Sequence, residues 1–371
     1  MKLAKDKNPF AKEILNQVQG RQKAKKKIPL WANTEGIIFP VGLSIEQSSS
    51  EATAKHKASL ISGKKLIDLS SGFGIDSFYF SKVFKEIVLV EPNEELLGIV
   101  KHNYNCLKVD NASFYNNKAE EFVEIYKQKS DFIYVDPSRR LSSNKKIINL
   151  KDCEPNVVNL LPAMFLIAPS LLIKTAPLLD INSALTELTG VKKVIVLSYQ
   201  NECKEVLYLL EKNFNKEPII EAVNIKENQQ EIFNFTLTQE KEAKINLSPP
   251  LKYLYEPNAA IMKAGAFKLV AQQFNLFKLH SNSHLYTSET LVKDFPGRTF
   301  LIEAVCKYKK KEIEFVLKNK KANIAVRNFK EKVSDILKKT GITEGGDKYL
   351  FATTDYKESA IIVICNKIFF K

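Results

Sequence analysis

Residues 66–75 read LIDLSSGFGI. Two apolar residues, Leu66 and Ile67, lead to an acid at Asp68, and Gly72 and Gly74 follow. The pattern predicts a buried strand running into a tight turn, with a helix starting near Asp76. Glycine at these two places lets backbone approach a ligand closely and adopt positive φ without a Cβ clash. A crevice beyond the carboxyl end of such a strand is where open α/β sheets bind ligands.

The turn lacks the third small residue that a dinucleotide fingerprint needs to receive a pyrophosphate at the helix N-terminus. Ser77 stands near that place, and Asp68 and Asp76 would both repel phosphate. An acid ahead of the glycines suits a cationic or ammonium-bearing ligand. About twenty residues on, a second apolar strand, IVLV, ends in Glu91, placed to accept hydrogen bonds from ribose hydroxyls. A strand, an acid and a GxG turn followed by a second strand and acid resemble the S-adenosylmethionine site of class I methyltransferases. In that resemblance Asp68, Ser70, Gly72, Gly74 and Glu91 take up the cofactor.

From Lys64 to about 240 the chain alternates strand and helix, the signature of a parallel sheet. Strands are expected at 65–69, 87–90, 112–115, 131–135, 170–174, 193–198 and 231–237, the last antiparallel. Helices are expected near 76–84, 93–103, 119–127, 155–166, 180–188 and 202–213. The fold class is therefore α/β, a Rossmann-like domain with seven strands that matches the class I methyltransferase sheet. The loop after the third strand, FYNNKAEEF, lies where that family packs against adenine, which makes Asn117 and Ala119 backbone contacts. Lys118 occupies the place where the family commonly has an acid.

The fourth strand, DFIYV, ends in Asp136-Pro137-Ser138-Arg139-Arg140. Amino-methylating relatives carry an N/D-P-P-aromatic turn here, beside the methyl group, where the acid or amide accepts from an exocyclic amine and the aromatic stacks on a flipped base. Asp136 and Pro137 fit that pattern, and Ser138 and Arg139 depart from it. A guanidinium can also stack on a base, and two arginines can clamp a phosphate. Asp136, Pro137 and Arg139 are the catalytic candidates, with Asp136 also beside the cofactor. A strand-ending turn with surface arginines is the plainer alternative. The sequence does not separate base from ribose methylation, and no Lys-Asp-Lys-Glu constellation for the ribose is evident along the chain.

Ahead of the first strand, EQSSSEATAKHKASLI reads as a loop leading into a helix from about Ser50, with ordinary N-cap chemistry. It also resembles the Q-T-T-P-E element of trimethylguanosine-synthase-like RNA methyltransferases. Gln47, Ser48, Ser49 and Glu51 stand in matching places, and Ser50 replaces the proline. The resemblance implies that Gln47 and Ser49 lie against the methionine end of the cofactor.

At 371 residues the chain has length for two or three domains. Its 44% hydrophobic and 26% charged residues are those of an ordinary globular protein. No apolar run approaches the roughly 20 residues of a spanning helix, and the lysine-rich N-terminus lacks the apolar core of a signal peptide. The cytoplasm is the expectation, with no membrane. Five scattered cysteines without a CxxC pair argue against zinc, and no carboxylate makes a zincin motif of His280 and His284.

The net charge of +14 is unevenly spread: residues 1–63 carry 11 Lys/Arg against 5 Asp/Glu, and residues 301–371 carry 16 against 9. Basic ends around a near-neutral middle suggest a polyanion held from outside the catalytic centre. A solvated, lysine-rich surface is the plainer explanation. An amphipathic helix over 8–27 ends in RQKAKKK, which offers Arg21, Lys25, Lys26 and Lys27 to phosphate. A solvated helix end explains these cations equally well. Residues 240–254 read as a linker. After them come a short domain to about Arg298 and strands at 300–305, 312–318, 322–329, 348–354 and 360–366, interrupted by a helix over 329–340. Lys320, Lys321 and Arg327 lie in that last part, and Arg140 joins them as a candidate RNA contact.

Across KIPLWA, EQSSSEATAKHKA, DLSSGFGID, VDPSRR, YEPNAAIMKAG and AVRNF, nearly the whole chain is similar to a bacterial family of class I methyltransferases with a C-terminal THUMP-like domain. The resemblance implies an N-terminal basic helical region (1–62), a cofactor domain (63–240), a small ferredoxin-like domain (255–299) and a THUMP-like α+β domain (300–371). It also implies S-adenosylmethionine as cofactor and RNA, tRNA or rRNA, as substrate, since THUMP domains bind tRNA. The expected activity is methylation of a base in structured RNA. A protein or small-molecule methyltransferase, or an RNA-binding protein with an inactive methyltransferase domain, are the alternatives.

Overall fold

The computed structural model describes residues 9–40, 45–46, 48–139, 149–227 and 229–370. The chain divides into two compact units: Met1–Tyr199 with Cys203–Ile219, and Gln200–Glu202 with Ile220–Lys371.

The first unit opens with helices α1 (Ala11–Lys27), α2 (Pro29–Asn33) and α3 (Glu51–Leu60). Ser50 caps α3, its hydroxyl accepting from the Thr53 amide at 3.2 Å. Strands and helices then alternate: β1 (Gly63–Asp68), α4 (Ile75–Phe80), β2 (Phe84–Val90), α5 (Glu94–Cys106), β3 (Ala112–Tyr115), α6 (Ala119–Ile125) and β4 (Phe132–Val135). They continue as α7 (Val157–Ile167), β5 (Ser170–Thr175), α8 (Ile181–Glu187), β6 (Val191–Tyr199) and β7 (Glu202–Glu211). Within this unit the strand order is β3-β2-β1-β4-β5-β7-β6. β3, β2, β1, β4 and β5 run parallel, and β7 is antiparallel to β5. The inner strands are near-continuous apolar runs, as strands buried on both faces must be. After β1 the chain fills one side of the sheet (β2, β3) and then returns to place β4 on the other. The loops after β1 and β4 therefore part at the switch point, and the crevice between them is the ligand position of open α/β sheets.

Two expectations about this sheet are corrected. Residues 202–213, expected as a helix, form β7, and the strand at 231–237 is not the seventh of the set. Leu207, Leu209, Leu210, Glu211 and Lys212 are good helix formers, yet Val206, Leu207, Tyr208 and Leu210 are fully buried. Sheet burial overrides that propensity. Gln200 and Asn201, at φ +52° and +63°, supply the two left-handed residues of a tight turn from β6 into β7.

The second unit carries an antiparallel pair, β8 (Ile219–Ile225) and β9 (Gln230–Phe235), then α9 (Leu237–Glu242). Further on come β10 (Tyr253–Pro257), α10 (Ala259–Ala264), α11 (Leu269–Gln273), β11 (Phe277–Lys278), β12 (Tyr286–Ser288) and β13 (Gly297–Lys307). The chain ends with α12 (Lys310–Val316), β14 (Lys321–Arg327), α13 (Val333–Thr340), β15 (Thr343–Thr354) and β16 (Ala360–Lys367). Its sheet runs β11-β12-β10-β13-β16-β15-β14, with β14 and β15 parallel and the other neighbours antiparallel among the described residues. Residues 312–318 were expected as a strand, but EIEFV belongs to α12. It turns Ile313 and Leu317 (i, i+4) into the core and leaves Phe315 82% exposed. That is helical periodicity, which the β-branched and aromatic composition of the run disguises.

Candidate active site

The site is built from the carboxyl ends of β1, β2, β4 and β5 and the amino end of the antiparallel β7, with α3 and α4 beside them. At the end of β1, Asp68 is buried, and its carboxylate accepts from the Ser70 amide (3.0 Å) and the Ser77 hydroxyl (2.5 Å). Burial raises its pKa to about 7, with Asp76 and Asp136 adding to the rise and the two hydrogen bonds opposing it. Gly74 caps α4 at φ +79°, and a Cβ there would meet Val100 and Tyr104 at 3.0–3.2 Å. Gly72 differs. At φ +51° it faces open space, the nearest atom to an added Cβ being the Ser70 carbonyl oxygen at 3.9 Å.

Glu91, directly after β2, is also buried. One carboxylate oxygen accepts from the Gly72 amide at 3.0 Å, the other from the Asn93 amide at 2.9 Å. Burial pushes its pKa up against those two hydrogen bonds. Each oxygen keeps a further lone pair, enough for a vicinal diol. The β3 loop reaches this acid through Asn116, unnoticed in the sequence, whose side-chain amide donates to the carbonyls of Glu91 (2.9 Å) and Pro92 (3.0 Å). Asn117 beside it is half-buried, and Ala119 is buried at the start of α6.

Trp31, in the KIPLWA stretch, supports the glycine turn from behind. It is fully buried, 4.9 Å from the Phe73 ring centroid and 5.7 Å from Phe78. Arg21 serves the same framework. Its guanidinium donates to the carbonyls of Ala32 (2.6 Å) and Ile37 (3.3 Å) and lies over Phe39. Lys27 is half-buried, donating to the carbonyls of Ile45 (3.0 Å) and Glu46 (2.6 Å). Lys25 and Lys26 point outward from the same helix end.

The β4 end departs most from expectation. The Asp136 amide donates to the Ser70 hydroxyl at 2.6 Å, which ties the two switch-point loops together. Its carboxylate is not a free acceptor, because it forms an ion pair with Lys174 at the end of β5. Pro137 is buried, and Ser138 and Arg139 pair with Glu154 and Cys153 in a short antiparallel ribbon. Arg140 and Gln47 lie outside the described residues.

Next to that pair is a second cluster. Lys57 of α3, 0% exposed, donates to Glu205 of β7 at 2.6 Å and to Ser49 at 2.9 Å, and lies 3.2 Å from Asp76. Asp76 also accepts from Ser49 (2.9 Å) and Tyr134 (2.7 Å). Ser49 is thus buried within a polar network. Burial raises the Asp76 pKa, but Lys57, Lys174 and the two hydroxyls outweigh it and hold the group below its usual range. For Glu205 burial wins over Lys57 and Lys174, and its pKa is raised. Lys174, desolvated yet facing Asp136, Asp76 and Glu205, is held above the usual lysine range.

Register explains the assembly. Val135 pairs with Ile173 and Lys174 with Leu207, so Asp136, Lys174 and Glu205 lie at one end of three neighbouring strands, with Lys57 above them. Lys57, Asp136, Lys174 and Glu205 thus form a Lys-Asp-Lys-Glu constellation in space that is not evident along the chain. Their spacing along the chain hides them, and placing Glu205 on a helix would have kept it from Lys174.

In the second unit Arg327 is ion-paired to Glu256 at 2.5 Å, and Lys320 to Glu314 at 2.8 Å. Lys318, Lys321 and Lys338 are exposed, with no ion pair among the described residues. The described residues hold no group of three or more His, Cys, Asp or Glu suited to a metal, and no helix long and apolar enough to cross a membrane.

A 3-2-1-4-5-7-6 sheet with an antiparallel seventh strand, an acid before a GxG turn and an acid after the second strand define a class I methyltransferase. A crystal structure of a "putative methyltransferase" from Porphyromonas gingivalis W83 is similar over 99% of this chain and 94% of that one, with 30% identity and a TM-score of 0.91. Residues 253–296 match a ferredoxin-like domain and residues 297–367 a THUMP domain-like family. The chain belongs to the class I methyltransferases with a C-terminal THUMP-like domain. An rRNA methylase from Streptococcus thermophilus (14% identity, 43% of this chain and 94% of that one, TM-score 0.32) is a far more distant match. So is a Streptococcus mutans "putative methyltransferase" in complex with S-adenosylhomocysteine (12%, 43% and 96%, TM-score 0.33). No curated protein matches the chain.

Proposed function

We propose that this protein transfers the methyl group of S-adenosylmethionine to structured RNA, tRNA or rRNA. The observation that carries the cofactor assignment is the open face of Gly72 between two buried acids, Asp68 and Glu91, without cation partners among the described residues. Asp68 suits the positively charged methionyl end and Glu91 the ribose hydroxyls, while Asn117 and Ala119 line the adenine side. S-adenosylmethionine supplies a methyl already activated on a sulfonium, so the protein's task is orientation. RNA as substrate is supported by the THUMP domain-like match and by exposed lysines at both ends of the chain: Lys25 and Lys26, and Lys318, Lys321 and Lys338. Arg21, Lys27, Lys320 and Arg327 contribute charge from positions already tied to carbonyls or acids. A base acceptor would need Asp136 free to accept from an amine, and its pairing with Lys174 counts against that form.

Calorimetric titration is expected to give micromolar-range binding of S-adenosylhomocysteine, weakened at least about tenfold in Asp68→Ala and in Glu91→Ala, the loss of a charged hydrogen bond. RNA affinity is expected to fall steeply between about 50 and 200 mM salt. Wild-type protein without cofactor binding would overturn the enzyme assignment. Weak RNA binding indifferent to salt would favour a protein or small-molecule acceptor.

A further inference from the structure

Four charged side chains from separate elements meet beside the switch point: Lys57, Asp136, Lys174 and Glu205. Nothing in cofactor binding requires them. Lys57 and Lys174 are nearly or wholly buried, and a buried lysine is costly unless acids hold it. Glu205 holds the first and Asp136 the second. Of the four, Asp136 is the most open, its side chain one-third exposed, and Lys174 is 11% exposed. Solvent, or an acceptor, can therefore reach the Asp136–Lys174 pair and not the Lys57–Glu205 pair behind it.

That pair constrains the acceptor atom. An exocyclic amine offers two N–H donors and needs an unpaired acceptor plus a stacking surface. Here the carboxylate is already bound to an ammonium, and the turn residues Pro137 and Ser138 supply no aromatic ring. A hydroxyl both accepts and donates. It can accept from the Lys174 ammonium while donating to the carboxylate of Asp136, filling both groups at once. Resting on the RNA reading above, we propose that the acceptor is the ribose 2′-hydroxyl, with Lys174 and Asp136 as the catalytic pair. The 2′-oxygen uses a lone pair to form the new bond to the methyl carbon. The carbon–sulfur bond breaks with its electrons going to sulfur, which leaves as a neutral thioether. The hydroxyl proton, made strongly acidic as that bond forms, passes to the Asp136 carboxylate and then to water. Lys174 keeps its proton throughout and orients the oxygen. Lys57 and Glu205 are positioning residues that keep the β5 and β7 ends in register. The same choice of atom would distinguish RNA from DNA, since only RNA carries the 2′-hydroxyl.

The full-length protein is incubated with S-adenosylmethionine labelled in the methyl group and total RNA from a strain lacking the gene, and the RNA is hydrolysed in alkali. A 2′-O-methyl group removes the nucleophile alkali uses to cut the next phosphodiester, so the expected label is in alkali-resistant dinucleotides. Label in mononucleotides overturns the ribose acceptor and leaves RNA methylation standing. No label in RNA overturns the RNA reading and the acceptor with it. Lys174→Met is expected to lose transfer about 100-fold or more, through loss of the ammonium that orients the oxygen. It should still bind S-adenosylhomocysteine as wild type does, and unchanged transfer would overturn the pair's role. Should that variant fail to fold, the isosteric Asp136→Asn makes the same test. Glu205→Gln is expected to lower kcat about tenfold with the KM for RNA unchanged, whereas a KM change alone would argue against positioning.

Discussion

The two sides of the crevice handle buried acid differently. On the β1–β2 side, Asp68 and Glu91 are held by backbone amides and one hydroxyl, with no lysine or arginine in contact among the described residues. On the β4–β5–β7 side every acid has a lysine: Asp136 has Lys174, and Glu205 and Asp76 share Lys57. Uncompensated negative charge suits a ligand that brings its own positive charge, as a sulfonium does. On the second side two ammoniums already answer three carboxylates, so an incoming cation has less to gain than on the first side and a neutral acceptor fits better. On the proposed function, the contrast would set a donor side apart from an acceptor side by electrostatics.

Removing a partner from the lysine-paired side should therefore have the largest effect. Lys57→Met takes from buried Asp76 and Glu205 the cation they touch and leaves them only the more distant Lys174, a loss of a kind that costs about 3–5 kcal/mol in comparable cases. Denaturant unfolding should show that loss, and Lys57→Met with Glu205→Met should recover much of it. A loss below about 1 kcal/mol would break the contrast, because the cluster would then be no more tightly coupled than the donor side.

The donor side was readable in the sequence because its parts are local. Asp68, Gly72, Gly74 and Ser77 fall within ten residues, and Glu91 is announced by its own apolar strand. The acceptor side was not. Lys57, Asp136, Lys174 and Glu205 come from one helix and three strands, and sheet order rather than sequence order makes them neighbours. Lys57 sits in ATAKHKASL, where a helical lysine is ordinarily a solvated one, and Lys174 ends LLIK as a strand's last residue often does. The reading of 202–213 as a helix came from local propensity in a segment whose conformation is set by burial between β5 and β6. In the Arg21–Lys27 run composition counts the cations alike, whereas the geometry ties Arg21 and Lys27 to carbonyls and leaves Lys25 and Lys26 exposed.

Within the donor side, the two glycines should separate fold from ligand. Gly74→Ala puts a methyl against Val100 and Tyr104 at positive φ, with an expected stability loss of about 1–3 kcal/mol. Gly72→Ala meets nothing closer than 3.9 Å, so only the backbone cost of roughly 1 kcal/mol applies to folding. Its larger expected effect is on S-adenosylhomocysteine affinity, because the methyl occupies the open face. Equal affinity in Gly72→Ala and wild type, by calorimetry, would move the ligand away from this turn.

The smallest predicted effect is the most specific to the missing cation. Burial holds Asp68 at about 7 in the folded chain against 3.8 for an ordinary aspartate. Between those values the native state keeps a proton that the unfolded chain has released, so this group's contribution makes stability fall as pH rises through the window. At pH 8 Asp68 is ionised, and Asp76 and Asp136 add to its cost. A sulfonium ligand relieves that cost only when Asp68 is charged. S-adenosylmethionine affinity is therefore expected to rise up to about tenfold from pH 6 to pH 8, the factor set by a group titrating near 7. Asp76, held below its usual range by Lys57 and Lys174, is already ionised across this interval and adds no slope. Asp68→Asn should flatten the dependence. S-adenosylhomocysteine, whose sulfur is neutral, should show less of it than S-adenosylmethionine, and identical slopes for the two would mean that Asp68 does not face the sulfonium end.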